Sequence, residues 1–194
     1  IRGMSVDTLT HEVGRRRFLT GKPPSGLQAR GSSIATWLAA HLGGSDPIPN
    51  LSVQVESYNV DQPNYASGLK VASVPDLVAA LEAPAPALPG AHDLQIDLAL
   101  NQLSQCAAAQ ASPMRVGAEE SRLKALEMVE GGYASLFDFG QPSQAWLKEH
   151  YGFGNNLATA PAAAAMAVTA LTSGLSRVVS TEVARGLDTH YDTW

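Results

Sequence analysis

The sequence predicts a helix-rich protein of the α/β class with few strands, and three observations carry that expectation. Leu51, Val53 and Val55 alternate with Ser52, Gln54 and Glu56, the period of a half-buried strand. From Arg177 to Ala184 the chain reads RVVSTEVA, a β-branched run with the texture of a buried core strand. An Ala-rich helical segment, a turn at Gly174 and that second strand follow in succession, which is half of a βαβ unit.

The remaining elements follow from spacing and punctuation. His11 to Leu19 reads as a short helix ended by Gly21 and the Pro23-Pro24 pair. Ser32 or Ser33 is placed to cap a second helix whose buried face is expected at Ile34, Trp37, Leu38 and Leu42. Gly43-Gly44 stops it, and His41 in its last turn suits the helix dipole. The polar stretch 57–67, with Asn59, Asp61, Asn64 and Tyr65, reads as a surface connection beyond the first strand. Ser73 and Pro75 open a helix through Leu77, Val78 and Leu81. Pro84, Pro86 and Pro89 then form a stiff linker.

Residues 91–109 predict one helix, with Leu94, Leu98 and Leu103 on its apolar face and His92 and Asp93 as structural residues at its start. A further helix is expected over 114–137, kinked or split at Gly131-Gly132. Another opens at Pro142 and runs through Trp146, Leu147 and His150 to Gly152. His150-Tyr151 reads as an amphipathic helix end, because no acid or nucleophile lies nearby in sequence. The domain expectation is a single partial domain over 1–194, with 91–152 as a helical insertion or cap within it.

Composition limits the function classes. Of 194 residues, 45% are hydrophobic, enough for a core, while 13 Lys+Arg against 18 Asp+Glu leave a net charge of −5. That balance argues against nucleic acid or an anionic membrane as the main partner. No apolar run approaches the ~20 residues needed to span a bilayer. The one cysteine, Cys106, excludes an internal disulfide and a cysteine-rich zinc site. Arg15-Arg16-Arg17-Phe18-Leu19 matches the twin-arginine export pattern, but Gly21-Lys22-Pro23-Pro24 follows where an apolar stretch is required. It reads instead as a basic helix end. A start at Ile1 and an end at Trp194, inside a motif-like loop, suggest a fragment of a longer protein.

Chemically capable residues concentrate after the last strand, in Leu187-Asp188-Thr189-His190-Tyr191-Asp192. In an extended segment Asp188 and His190 point to the same side. An Asp oxygen and a His nitrogen converging there suit a divalent metal. Alternatively Asp188 orients His190 as a general base. Asp192 continues the alternation as a third, weaker acid candidate, and Thr189 faces the other way. Glu182, inside the strand, faces the same cleft or an exposed edge. The plain alternative is a polar loop in which Asp188 forms an Asx turn and His190 is solvated. A metal site needs three or four protein ligands, so others would come from further sequence or from distant residues such as His11.

The order of Thr36-Trp37-Leu38-Ala39-Ala40-His41-Leu42, the strand from Leu51 to Val55, Val71-Ala72-Ser73-Val74-Pro75-Asp76-Leu77, and the terminal strand leading to Leu187-Asp188-Thr189-His190 resembles a bacterial family of exported proteins. That family is the one called domain of unknown function 1501, grouped with the alkaline phosphatase and sulfatase-like superfamily. The resemblance spans most of the chain, with the terminal strand and the Asp-Thr-His segment as its specific part. It implies an α/β/α sandwich and metal-dependent hydrolysis of phosphate or sulfate esters, with Asp188 and His190 as metal ligands. It also implies export, on a twin-arginine signal upstream of Ile1 rather than at Arg15-Arg16. The nucleophile and the later His-containing metal motifs of the superfamily have no counterpart in the chain. The competing expectation is a non-catalytic exported or surface protein that uses a degenerate sandwich to bind a partner.

Overall fold

The computed structural model describes residues 10–82 and 90–182. Among them are eight α-helices and three short strands: α1 His11–Thr20, α2 Ile34–Leu42, β1 Leu51–Val53, β2 Leu69–Val71, α3 Val74–Leu81, α4 Gly90–Ser104, α5 Ala107–Gln110, α6 Pro113–Glu130, α7 Ala145–Tyr151, α8 Ala160–Thr172 and β3 Val179–Thr181. Two 3-10 segments, Asn64–Ala66 and Tyr133–Phe137, complete the order. The strands form one parallel sheet with β1 in the middle, in the order β2-β1-β3. Leu51 pairs with Leu69 on one side and Val179 on the other, and Val53 with Val71 and Thr181. The chain is therefore helix-rich α/β, as the sequence predicts.

The helices begin and end where local chemistry dictates. The side chains of Thr10, Ser33, Ser73 and Thr159 each accept a backbone N–H in the first turn of the helix that follows. Ser33, not Ser32, is thus the cap of α2, while the Ser32 hydroxyl donates to Asp61 at 2.6 Å and holds the 57–67 connection against the helix start. Gly43 ends α2 for a packing reason. A Cβ there would lie 2.6 Å from the Pro49 carbonyl oxygen and 3.0 Å from its Cα, both backbone atoms.

The main core brings Leu51, Val53 and Val71 against Leu77 and Leu81 of α3, Leu147 of α7, and Ala162, Ala165 and Met166 of α8. Phe137 and Phe139 close it, with Phe139 edge-on to Phe153 at 5.5 Å. Ala162, Ala163 and Ala165 of α8 are buried, and the helix packs against β3. A second, smaller cluster joins Ala39 of α2, Ala66 and Val178.

Four local expectations are corrected. First, the buried face of α2 is Thr36 and Ala39, whereas Ile34, Trp37 and Leu42 are about half exposed at 60%, 51% and 49%. Small side chains are selected there because α2 sits close to Ala66 and Val178, a proximity that helical periodicity does not encode. Second, Ser52, expected on an outer face, is 1% exposed. Third, residues 91–109 form two helices, α4 and α5, interrupted around Cys106. Their neighbour α6 stops at Glu130, and the chain continues as a 3-10 segment beyond Gly131-Gly132. Fourth, both predicted strands are shorter than expected: β1 ends at Val53 because Gln54 adopts a left-handed φ of 59° and turns the chain out of the ladder, and of the segment 177–184 read as a buried strand only Val179–Thr181 pairs, half-buried, with residues beyond 182 outside the described ones.

The region 91–152 is uneven. No residue of α4 or α6 is buried, yet Phe137, Phe139 and Leu147 lie in the main core. Arg122 ties the two outer helices together, reaching Glu119 at 2.7 Å and Asp97 at 3.3 Å. Glu119 is held below the usual carboxylate range by its hydrogen bond to Arg122.

Candidate functional site

Because all three strands are parallel, their carboxyl ends share one edge of the sheet. From β1 the chain moves to one side for β2 and then crosses to the other side of β1 for β3, so the β1–β3 boundary is a topological switch point, where open α/β sheets leave a crevice beyond the strand ends. Two strand exits define it. Gln54 leaves β1 with its backbone N–H donating to Val71 O at 2.9 Å and its side-chain Nε2 to Ala72 O at 2.6 Å. Glu182 leaves β3 with its N–H donating to Val53 O at 3.2 Å.

The chain beyond β1 places Glu56 and Tyr58 beside α1. The Tyr58 hydroxyl donates to the Glu56 carboxylate, and Arg15 lies 3.6 Å from the same carboxylate. The Arg16 guanidinium carbon sits 5.9 Å from the centre of the Tyr58 ring. Burial, the bond to Glu56 and the negative charge of Glu56 push the Tyr58 phenol up to about 12, against the opposing pull of Arg16 and Arg15. A raised phenol pKa means that the folded state holds this proton more tightly than the unfolded chain. The resulting stabilisation is complete below about pH 10 and is lost as pH rises towards 12. Tyr58→Phe should therefore lose stability less steeply than the parent between those limits in alkaline denaturation; parallel curves would remove Tyr58 from this role.

Next to this group lies a groove of about 180 Å³. Phe18 and Leu19 of α1, Ile34 and Leu38 of α2, and Val55 and Val179 give it apolar walls, while Ser33, Glu56 and Ser180 add polar atoms. Beneath it runs a buried hydroxyl and amide network. The Ser33 and Thr36 hydroxyls are 2.8 Å apart, those of Thr36 and Ser57 are 3.0 Å apart, and Asn50 Nδ2 donates to Ala66 O at 3.0 Å. Asn50 Oδ1 and Ser52 Oγ are buried without a hydrogen-bond partner among the described residues. A Cβ added at Gly68 would lie 2.8 Å from Ser52 Oγ and 2.9 Å from Ser57 Cβ, so a larger residue there would force Ser57 to shift.

Of the residues singled out from sequence, Asp188, His190 and Asp192 lie outside the described residues, and Glu182 is the last described position before them. His11 begins α1. The His41 ring packs on Trp37 at 4.2 Å, with Nδ1 2.8 Å from the Trp37 carbonyl oxygen, which makes it a structural helix-end residue. His150 packs against Trp146 and Tyr151 at the end of α7. Cys106 is exposed at the start of α5. Among the described residues, no three His, Cys, Asp or Glu side chains gather in a way that would hold a metal. The chain matches no protein-family model, no curated protein and no solved structure.

The Arg15–Glu56–Tyr58–Arg16 group escaped sequence reading. Its members lie on two segments some forty positions apart, and only the Glu-x-Tyr after a strand and the arginine run hint at it. No helix among the described residues is long and apolar enough to cross a membrane.

Proposed function

We propose that this chain is part of an exported, metal-dependent hydrolase of phosphate or sulfate esters, built on the α/β/α sandwich of the alkaline phosphatase and sulfatase-like superfamily. Asp188 and His190 are its metal ligands, with Asp192 as a weaker third candidate. The observation that carries this reading is the parallel pairing of β3 with the central β1. The chain emerges from β3 at the switch-point edge through Glu182, six positions before Asp188. The donor set is chemically suited to a divalent ion, an oxygen from Asp188 and a nitrogen from His190. Two donors fall short of the three or four such a site takes, so the ligand set is completed by residues other than these.

A divalent ion bound there would polarise the ester oxygen and stabilise developing negative charge. The protein's own contribution is to anchor the strand from which the ligands follow. Backbone bonds from Ile48 to Leu175 and from Leu51 to Val178, each 2.9 Å, set β3 beside β1. Titration of zinc or manganese into the chain and into an Asp188→Ala, His190→Ala double variant tests this. Binding by the parent and an affinity loss of about tenfold or more in the variant is the expected result. Equal binding by both would overturn the reading.

The competing reading, a non-catalytic surface protein, is favoured by α4 and α6. Leu94, Leu98 and Met114 are 62%, 53% and 85% exposed on helices without a buried residue. Metal binding by neither chain, together with retained folding, would select it.

A further inference from the structure

We propose that the cleft lined by Trp37 and Ile34 of α2 together with Lys22, Asp61 and Gln62 binds the ring of a neutral sugar. Thr20 and Ser32 complete its lining.

The cleft measures about 370 Å³, at the lower end of the roughly 300–1,000 Å³ of small-molecule pockets. Its apolar part consists of two side chains that helical periodicity places in the core and the fold leaves outside it. Ile34 is 60% exposed and Trp37 is 51% exposed. His41 packs on the indole at 4.2 Å with its ring tilted by 30°, so Trp37 is held in place while half of its surface stays open. An indole fixed in this way offers a flat apolar face with a polar tip.

The polar part sets acceptors beside a donor. Ser32 Oγ donates to Asp61 Oδ1 at 2.6 Å, and Gln62 Nε2 donates to the same oxygen at 3.1 Å. These bonds hold Asp61 below the usual carboxylate range, with a smaller contribution from the charge of Lys22. The carboxylate is therefore ionised and oriented, and it keeps acceptor sites beyond those used on Oδ1. The Lys22 side chain lies over Gly31 and brings three donors to the cleft. It takes part in no ion pair among the described residues.

This combination selects the ligand. A hydroxyl both donates and accepts, so neighbouring hydroxyls of one ring serve Asp61, the Gln62 side-chain oxygen and Lys22 together. One cation against one anion leaves the lining without net charge, which favours a neutral ligand over a phosphate or a polyamine. A pyranose meets both demands. Its ring presents a face of C–H bonds to Trp37 and Ile34, and its rim presents hydroxyls to the polar side chains.

The test is an NMR titration of the chain with the methyl β-glycosides of glucose, galactose, mannose and xylose. At least one should bind with a Kd of about 1 mM, ordinary for a ligand of about a dozen heavy atoms. Binding should shift the Trp37 indole N–H signal, one of three in the protein and identified by its absence in Trp37→Phe. Trp37→Ala should weaken the best glycoside by about tenfold and Asp61→Asn by about fivefold, whereas Trp37→Phe keeps an aromatic face and should stay within about threefold. Trp146→Ala removes the 57% exposed tryptophan of α7 and should change nothing. Cyclohexanol has a ring without the hydroxyl rim and should bind about tenfold more weakly. Failure of all four glycosides to bind, no shift at the Trp37 indole, equal losses in Trp37→Ala and Trp146→Ala, or cyclohexanol matching the best glycoside would each overturn the inference. Displacement of the glycoside by leucine, a zwitterion of similar size, would overturn it in favour of an amino-acid site. If Trp37→Ala does not fold, the indole shift in the unaltered chain and the Asp61→Asn affinity decide. The glycosides carry no phosphate or sulfate ester, so this result is independent of the Asp188 and His190 titration.

Discussion

Replacing Phe137 by alanine is expected to cost about 3–5 kcal/mol, the range for a large aromatic removed from a packed core. Phe137 is 1% exposed and lies in the cluster that joins α3, α7, α8 and the sheet. It stands in a 3-10 segment that packs closely on α3, so neighbouring backbone has little freedom to collapse into the space left behind. A domain of ordinary stability, about 5–15 kcal/mol, would lose much of its margin. Urea denaturation of Phe137→Ala and of Leu98→Ala checks this. Leu98 is 53% exposed on α4, and its loss should register within about 0.5 kcal/mol. Similar midpoints for the two variants would show that Phe137 is not in the load path of the fold.

Asp46→Ala should cost about 1.5–3 kcal/mol, the range for a hydrogen bond to a charged group. Asp46 is 4% exposed, and its Oδ2 accepts the Arg177 backbone N–H at 3.0 Å. Its Oδ1 lies 3.3 Å from Arg177 Nε. The two halves of this contact are unequal. The Arg177 side chain is 62% exposed, so its ion pair is screened, whereas the backbone bond joins the loop before β1 to the lead-in of β3 across 131 positions. Arg177→Gln should therefore cost about 1 kcal/mol or less. Asp46→Asn, which retains an oxygen acceptor for the N–H, should fall between the two. Equal losses for Asp46→Ala and Arg177→Gln in thermal or urea unfolding would assign the contribution to the ion pair instead. The result matters for function because this contact fixes where β3 begins, and hence where its carboxyl end delivers Glu182.

Helix ends were the most legible feature of the sequence. Ser33 and Ser73 cap through their own hydroxyls, Gly21 and Gly152 take the left-handed conformation, and Pro75 sits in a first turn, as their residue types suggest, whereas the caps at Thr10 and Thr159 escaped sequence reading and α7 begins at Ala145 rather than Pro142. Each is a contact within a few residues, so local chemistry suffices. β2 was invisible for the opposite reason. Leu69-Lys70-Val71 is too short to display alternation, and it is a strand because β1 offers it a parallel partner. The same applies to Ser52, whose burial comes from the neighbours of a central strand and not from its own polarity.

The candidate site divides along the same line. Asp188 and His190 stood out because two metal-capable side chains share one short segment, and that proposal remains one about sequence. The Arg15–Glu56–Tyr58–Arg16 group arises only when α1 meets the chain beyond β1, bringing Arg15 to Glu56 and Arg16 to the Tyr58 ring.

What the sequence determined by itself is the α/β class, the helix caps and stops, and a strand that leads into Asp188-Thr189-His190. Tertiary structure alone decided the strand order β2-β1-β3, the parallel direction, the face of α2 that is buried and the Arg15–Glu56–Tyr58–Arg16 group. The reason is physical. Caps, turns and periodicity are short-range properties of the chain, whereas strand partners and charge pairs are chosen by the packing of segments far apart in sequence, where side-chain size and backbone approach outweigh local preference.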